Sequence, residues 1–185
     1  MDDSRFKEMR DGAVIHPSVV FGKDVTLGFN VVIDEDVKIG SNVFIGHNTV
    51  IRSGVIIGRN VVIGHGVVIE ASTIIGERVT IQSQCHITKN ARIGNDVFFG
   101  PMAMCINTRR ISHGRKYKAQ LEGPQIERAS RIGAGSIIMP GCKIGENAVL
   151  GAGSILTSGK EIPAREVWFG YPAIHRGKVE EGEIL

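Results

Sequence analysis

The chain beats in sixes. Stepping six residues at a time from Ile15 to Cys105, all sixteen positions are apolar: twelve Ile, two Phe, Leu27 and Cys105. Nine of the sixteen residues that follow them are Gly. The fifth residue of each hexad is small or β-branched in fifteen of sixteen, as in Val19, Val25, Val31 and Thr49, and Arg109 is the exception. The beat returns at Ile132, Ile138, Ile144 and Leu150, with Ser136, Cys142, Ala148 and Ser154 in fifth place, and then decays. A period held this long without an insertion is the signature of a solenoid, not of a mixed globular domain.

The physical reading is direct. A large first residue fills a narrow core, and a small fifth residue packs beside it without crowding. The Gly after the first residue is expected to take the positive φ of a tight bend. Three hexads close one 18-residue triangular coil, and coils stack at the ~4.8 Å inter-strand spacing. About seven coils then give a prism roughly 35 Å long, each coil burying its neighbour's face. The expected class is all-β, a parallel β-helix. Composition agrees: 42% hydrophobic but only 5% aromatic, with 24 Gly in 185 residues, suits coils filled by Ile and Val. Handedness does not follow from the spacing, since general chirality rules favour right-handed crossovers.

Five segments follow from the beat. Residues 1–14 are charged and suit a short helix ahead of the first coil. Residues 15–109 are coils, 110–131 an extruded polar loop, 132–167 further coils. Residues 168–185 hold the only Trp and suit a cap over the last coil's open edge. Residues 108–131 carry seven Lys/Arg against two Glu, while the whole chain nets only +3. So local a basic patch suits a small phosphorylated ligand and argues against nucleic acid as a partner. Cys85, Cys105 and Cys142 have no metal-like spacing and read as buried hydrophobes in a reducing compartment. The charged N-terminus has no apolar core of a signal peptide, and no run is long enough to span a bilayer. A cytoplasmic protein away from membranes is expected.

The repeat, [Ile/Val/Leu]-Gly-x-x-small-x, resembles that of the hexapeptide-repeat acyltransferases, which implies a left-handed coil. The stretch IQSQCHITKNARIGNDVFFGPMAMCIN, then the loop, then RIGAGSIIMPGCKIGENAVLGAGSIL and FGYPAIHRG, is similar to the N-acetyltransferases that acylate the 3-amino group of nucleotide-linked sugars. Gln82 matches that subfamily's coil Gln, and Phe99-Gly100-Pro101 resembles its Gly-Pro segment. Asn107 matches its functional Asn. The likeness is specific over roughly residues 80–176 and generic before them.

What the resemblance implies is a homotrimer using acetyl-CoA, with no metal, acting on a nucleotide-sugar substrate. Asn107, whose amide both donates and accepts, would hold an amine beside a thioester; the bland alternative is a turn Asn bonding its own backbone. His113 in the loop and His86 are candidate bases. Sugar O-acetyltransferases of the maltose and galactoside type use a loop His, commonly before Pro. Here Arg110-Ile111 occupies that place, and His113 comes three residues late. Gln82, Arg109, Arg110, Arg115 and Lys116 would meet the sugar and its diphosphate. Ala134 and Ala152, in the two Gly-Ala-Gly coils, match the family's contacts to the pantetheine arm, as does Thr157. Ser158 stands where that family has Lys. Arg176 or Lys178 would meet the 3′-phosphate.

His47 and His65, eighteen residues apart, stack on one edge and invite a zinc reading of the carbonic-anhydrase kind. A third ligand is missing, because Ser83 holds the next position. The alternatives to an amino-sugar N-acetyltransferase are a sugar or antibiotic O-acetyltransferase with a His base and, more distantly, a zinc-dependent or scaffold prism.

Overall fold

The computed structural model describes residues 7, 8, 12–118 and 120–185. They form a left-handed parallel β-helix with three flat faces. The first face runs from Val14–Ile15 through Val32–Ile33, Val50–Ile51, Val68–Ile69, His86–Ile87, Met104–Cys105 and Ile137–Ile138 to Ile155–Leu156. The second begins at Val20–Phe21 and ends at Glu161–Ile162; the third begins at Thr26–Leu27 and ends at Glu166–Gly170. Pairing steps by eighteen residues, Ile15 on Ile33 and Ile33 on Ile51, so each first-position Ile sits over the one below. Faces one and three have nine strands and face two has eight, the extra strands being the antiparallel Lys7–Glu8 and Ala173–Lys178. Each face therefore carries eight parallel strands, more than the seven coils expected.

The core is as the beat requires. Ile33, Ile45, Ile51, Ile63, Ile69, Ile81, Ile87, Ile132 and Ile138 have no exposed surface. Burying each contributes about 1.5–3 kcal/mol. Three polar residues in fifth place share one recurring bond: the Thr49, Thr73 and Ser136 hydroxyls donate to the carbonyls of Gly64, Thr88 and Gly151, each fifteen residues on. The beat does not decay after Leu150, for Leu156 and Ile162 are fully buried first-position residues.

The glycines do something other than expected. Positive φ falls on the fourth residue of the hexad, as at Asp24, Asn30, Asn42, Asn60 and Gly54, and not on the Gly in second place. Second-position Gly is needed for stacking: a Cβ at Gly40 would lie 2.6 Å from the Gly58 carbonyl carbon, and one at Gly58 equally close to Gly76.

The excursion is shorter and earlier than 110–131. Gln125–Ile126 is a strand of the second face, pairing with Arg92–Ile93 and Lys143–Ile144. The fifth-position residue before it is buried Pro124, not Arg109. Residues 108–122 are thus inserted between the first and second faces. The coil re-enters at Gly123, where a Cβ would strike the Asn90 backbone at 2.4 Å. The helix expected over 1–14 lies largely outside the described residues, and Lys7–Glu8 is a strand paired with Val14–Ile15. At the other end Trp168 pairs over Leu150, packs against the core, and donates to Glu166 at 2.7 Å. The following antiparallel strand extends this edge.

Candidate functional site

Each corner of the prism is a column of hexad positions two to four. The corner between the third and first faces carries Gln82, Gly100, Pro101, Ala134 and Ala152, stacked coil on coil. Ala134 and Ala152 are exposed. The corner between the first and second faces carries Ile106, Asn107, Met139, Thr157 and Ser158, and the insertion leaves from it. His86 projects outward from the first face, between Val68 and Met104. One chain therefore divides the candidates between two corners, with a face between them.

At the second of these corners lies an apolar groove of about 550 Å³, lined by Ile106, Ile137, Met139, Ile155, Thr157, Ser158 and Tyr171. Tyr171 reaches it from the turn of the C-terminal hairpin. Asn107 follows the lining residue Ile106 in the chain. Its Oδ1 accepts the Thr108 hydroxyl at 3.0 Å, and among the described residues its NH₂ meets no partner.

The insertion is held at its foot. Glu122 donates its backbone N–H to the Asn107 carbonyl at 2.8 Å, and Thr108 bridges Leu121 antiparallel. Arg109, expected to meet phosphate, is paired with Glu122 through both Nε and Nη2 at 2.9 Å. The guanidinium lies over the next coils' corners, 2.7 Å from where a Gly141 Cβ would stand and 3.5 Å from one at Gly159. The other cations are outward. Arg110 covers the Tyr117 ring at 4.3 Å, Arg115 reaches the His113 carbonyl, and Lys116 and His113 are exposed. His113 is not packed against Asn107 by any bond. Glu122, Thr108 and Tyr171 went unnoticed in the sequence; a Glu thirteen residues after an Arg carries no periodic signal.

Arg176 lies on the hairpin strand Ala173–Lys178, its Cζ 5.0 Å from the Phe169 ring centroid. Phe169 packs against Gly151, beside Ala152, so the tail cation borders the third–first corner.

The stacked His pair is real: His47 and His65 rings lie 4.8 Å apart at 15°. Their Nδ1 atoms accept backbone N–H groups, from Phe29 at 2.7 Å and from His47 at 2.9 Å. A neutral imidazole accepting there carries its proton on Nε2, which donates and does not ligate metal. Among the described residues no three His, Cys, Asp or Glu converge on a metal-sized site. The three Cys are buried free thiols, Cys85 and Cys142 donating to the Gly100 and Thr157 carbonyls. Burial raises all three thiols, Cys85 to about 11. Among the described residues no helix is long and apolar enough to cross a membrane.

The comparisons with known proteins agree with this architecture. Residues 36–71, 72–107 and 123–158 match the family described as bacterial transferase hexapeptide (six repeats). Those limits skip the insertion. The galactoside O-acetyltransferase of Lactococcus lactis subsp. lactis (strain IL1403) is 32% identical over 98 residues, 50% of this chain and 45% of that protein. The chain spans less than half the length of that relative. Among solved structures, the polySia-specific acetyltransferase NeuO superposes with TM-score 0.66 at 21% identity, over 95% of this chain and 89% of that one. The UDP-N-acetylglucosamine acyltransferase from Campylobacter jejuni superposes with TM-score 0.50 at 19% identity, over 89% and 74%. With well over half of its residues in matching repeats, the chain belongs to the bacterial transferase hexapeptide family.

Proposed function

We propose that the chain is an acetyl-CoA-dependent N-acetyltransferase for a nucleotide-linked amino sugar, with the 3-amino position favoured. The observation that carries this reading is Asn107, which follows the groove-lining Ile106 at the foot of a basic insertion and whose NH₂ meets no partner among the described residues.

The residues fit the thioester cosubstrate. Exposed Ala134 and Ala152 leave a smooth corner for a pantetheine arm, Thr157 supplies a hydroxyl in the groove, and Arg176 a cation for the 3′-phosphate. Acetyl-CoA would supply an activated acetyl carbonyl; a neutral amine adding to it would break the C–S bond and expel the thiolate, which takes up the proton lost from the amine. Asn107 would orient the amine through Oδ1, whose geometry Thr108 fixes, and offer its NH₂ to the developing oxyanion. Gln82 at the opposite corner would contact the sugar. Arg110, Arg115 and Lys116 are the cations open to its diphosphate.

The division of the candidate site supports a homotrimer. Ala134 and Ala152 sit on one corner and Asn107 on the other, so neighbouring prisms would complete each site. The outward residues support this: the first face presents Val32, Val50, Val68, Met104, Ile137 and Ile155. The third presents Phe44, Val62 and Phe98, all more than a third exposed, whereas the second mixes exposed Val20, Ile56 and Ile74 with Lys38, Arg92, Lys143 and Glu161. The two less charged faces suit the walls of a closed three-fold ring.

The activity of the Lactococcus relative favours a second reading, O-acetyl transfer to a sugar, with His113 or His86 as base. Thiol release from acetyl-CoA, measured against 3-amino, 4-amino and hydroxyl nucleotide sugars and simple galactosides, separates the two. Release with one amino sugar alone supports the proposal. Release confined to hydroxyl acceptors overturns it.

A further inference from the structure

We propose that Glu122 is a positioning residue for transfer, and that Arg109 acts through it rather than on the phosphates. This rests on the role given to Asn107 above. Three contacts join the ends of the insertion, one made to that Asn and two to the residues that follow it. The Glu122 N–H is bonded to the Asn107 carbonyl at 2.8 Å, the Thr108–Leu121 bridge follows, and the Arg109 guanidinium closes on the Glu122 carboxylate with two contacts of 2.9 Å. Without them, Asn107 would be the last residue of an interrupted coil, beginning a fifteen-residue excursion (108–122) with nothing to fix its direction. The backbone amide and the carboxylate of one residue thus hold the departing segment at Asn107 and at Arg109. A two-point hold of this kind sets an amide's orientation, to which transfer geometry is steeply sensitive.

The corner glycines accommodate the latch. A side chain at Gly141 would fall 2.6 Å from Glu122 Oε2 and 2.7 Å from Arg109 Nη2, while Gly123 lets the returning strand press on Asn90. Gly141 has φ +68°, a value Asn tolerates better than most residues. The coil could therefore keep its turn with Asn there, while the ends of the Glu122 and Arg109 side chains would have to shift from their present positions to admit it.

The test compares Glu122→Ala, Arg109→Ala, Gly141→Asn and the reversal Arg109→Glu/Glu122→Arg in the full chain. It reads kcat and KM with the fastest acceptor of the panel above, and amide hydrogen exchange over 107–123. The expected result is a kcat lower by about tenfold or more in each of the first three variants, with KM for acetyl-CoA unchanged and exchange faster. The reversal restores both rate and protection. A raised acceptor KM in Arg109→Ala, with Glu122→Ala unaffected, would make Arg109 a phosphate contact and overturn the latch. So would unchanged exchange in both single variants. Restored protection in the reversal, together with full turnover in Asn107→Ala, would keep the latch and sink the role given to Asn107.

Discussion

The His65 Nδ1 accepts the backbone N–H of His47 at 2.9 Å, and the two rings stack 4.8 Å apart. His47 does the same for Phe29, and Ser83 Oγ continues the column by accepting the His65 N–H at 3.1 Å. A corner N–H that points along the prism axis finds its acceptor in the third-position side chain one coil on. The ladder is therefore structural. Each rung is a solvent-bordered bond, and His65→Ala should cost about 0.5–1.5 kcal/mol, read as a lower urea midpoint. His65→Asn, which keeps an acceptor, should recover most of it. Dialysis against a chelator should change neither stability nor turnover, and loss of turnover on metal removal would reverse this assignment.

Second-position and fourth-position glycines should differ in kind when changed to Ala. At Gly58 a Cβ meets the Gly76 backbone at 2.6 Å, so the coils must part; at Gly54 there is open space and only the φ of +67° resists. Gly54→Ala should cost about 1–2 kcal/mol, and Gly58→Ala clearly more, because overpacking displaces backbone rather than a flexible side chain. Equal costs would refute the stacking role.

These two positions show what the sequence makes legible. The beat of Ile33, Ile45 and Ile57 defines the inward set, and with it the three faces, because a first-position residue has nowhere to go but the core. It does not reveal why Gly40 and Gly58 recur, since a bend and a close approach both select Gly. The insertion's end was hidden for a related reason. Ile126 keeps the beat, yet Glu127 follows it where Gly is usual, and Pro124 stands in fifth place. Asn107 was visible, as the residue matching a functional Asn just before the first run of coils ends. Its partner Glu122 was not, because a contact across an insertion has no period. Arg109 is a like case: its charge is legible, its pairing with Glu122 is not.

Asp96 should carry acid sensitivity. Its carboxylate accepts the Arg78 guanidinium at 2.6 and 3.0 Å and lies 3.5 Å from Arg128, and the Arg78 bonds hold it below the usual carboxylate range. A depressed folded value contributes stability above the unfolded value of about 3.9, lost as pH falls through the folded one. Wild-type stability should decline below about pH 4 more steeply than that of Asp96→Asn, by urea unfolding. Parallel slopes would remove Asp96 from the account.

The three thiols should be silent in the native protein. Cys85, Cys105 and Cys142 are buried, and burial keeps each thiol protonated at neutral pH, with Cys85 pushed up to about 11. A disulfide dye should titrate none of them in buffer and all three in denaturant. Fast native labelling would contradict the packing of Cys85 against Gly100 and Cys142 against Thr157.

That silence makes thiol release a clean reading of transfer, and Asn107 is where it should bite. Asn107→Ala removes the side-chain amide but leaves the Glu122 bond to the backbone carbonyl, so the insertion should stay in place. Turnover should fall by about 10²-fold or more, the cost of losing one preorganised donor, with little change in urea midpoint. Asn107→Asp keeps the shape and the Thr108 acceptor but loses the donor, and should be nearly as slow. If Asp retained full activity, the NH₂ would not be contacting the oxyanion, and the residue's part would reduce to orienting the amine. If His113→Ala proved slower than either, proton removal would limit the reaction, as a hydroxyl acceptor requires, and the amino-sugar reading would give way to O-acetyl transfer.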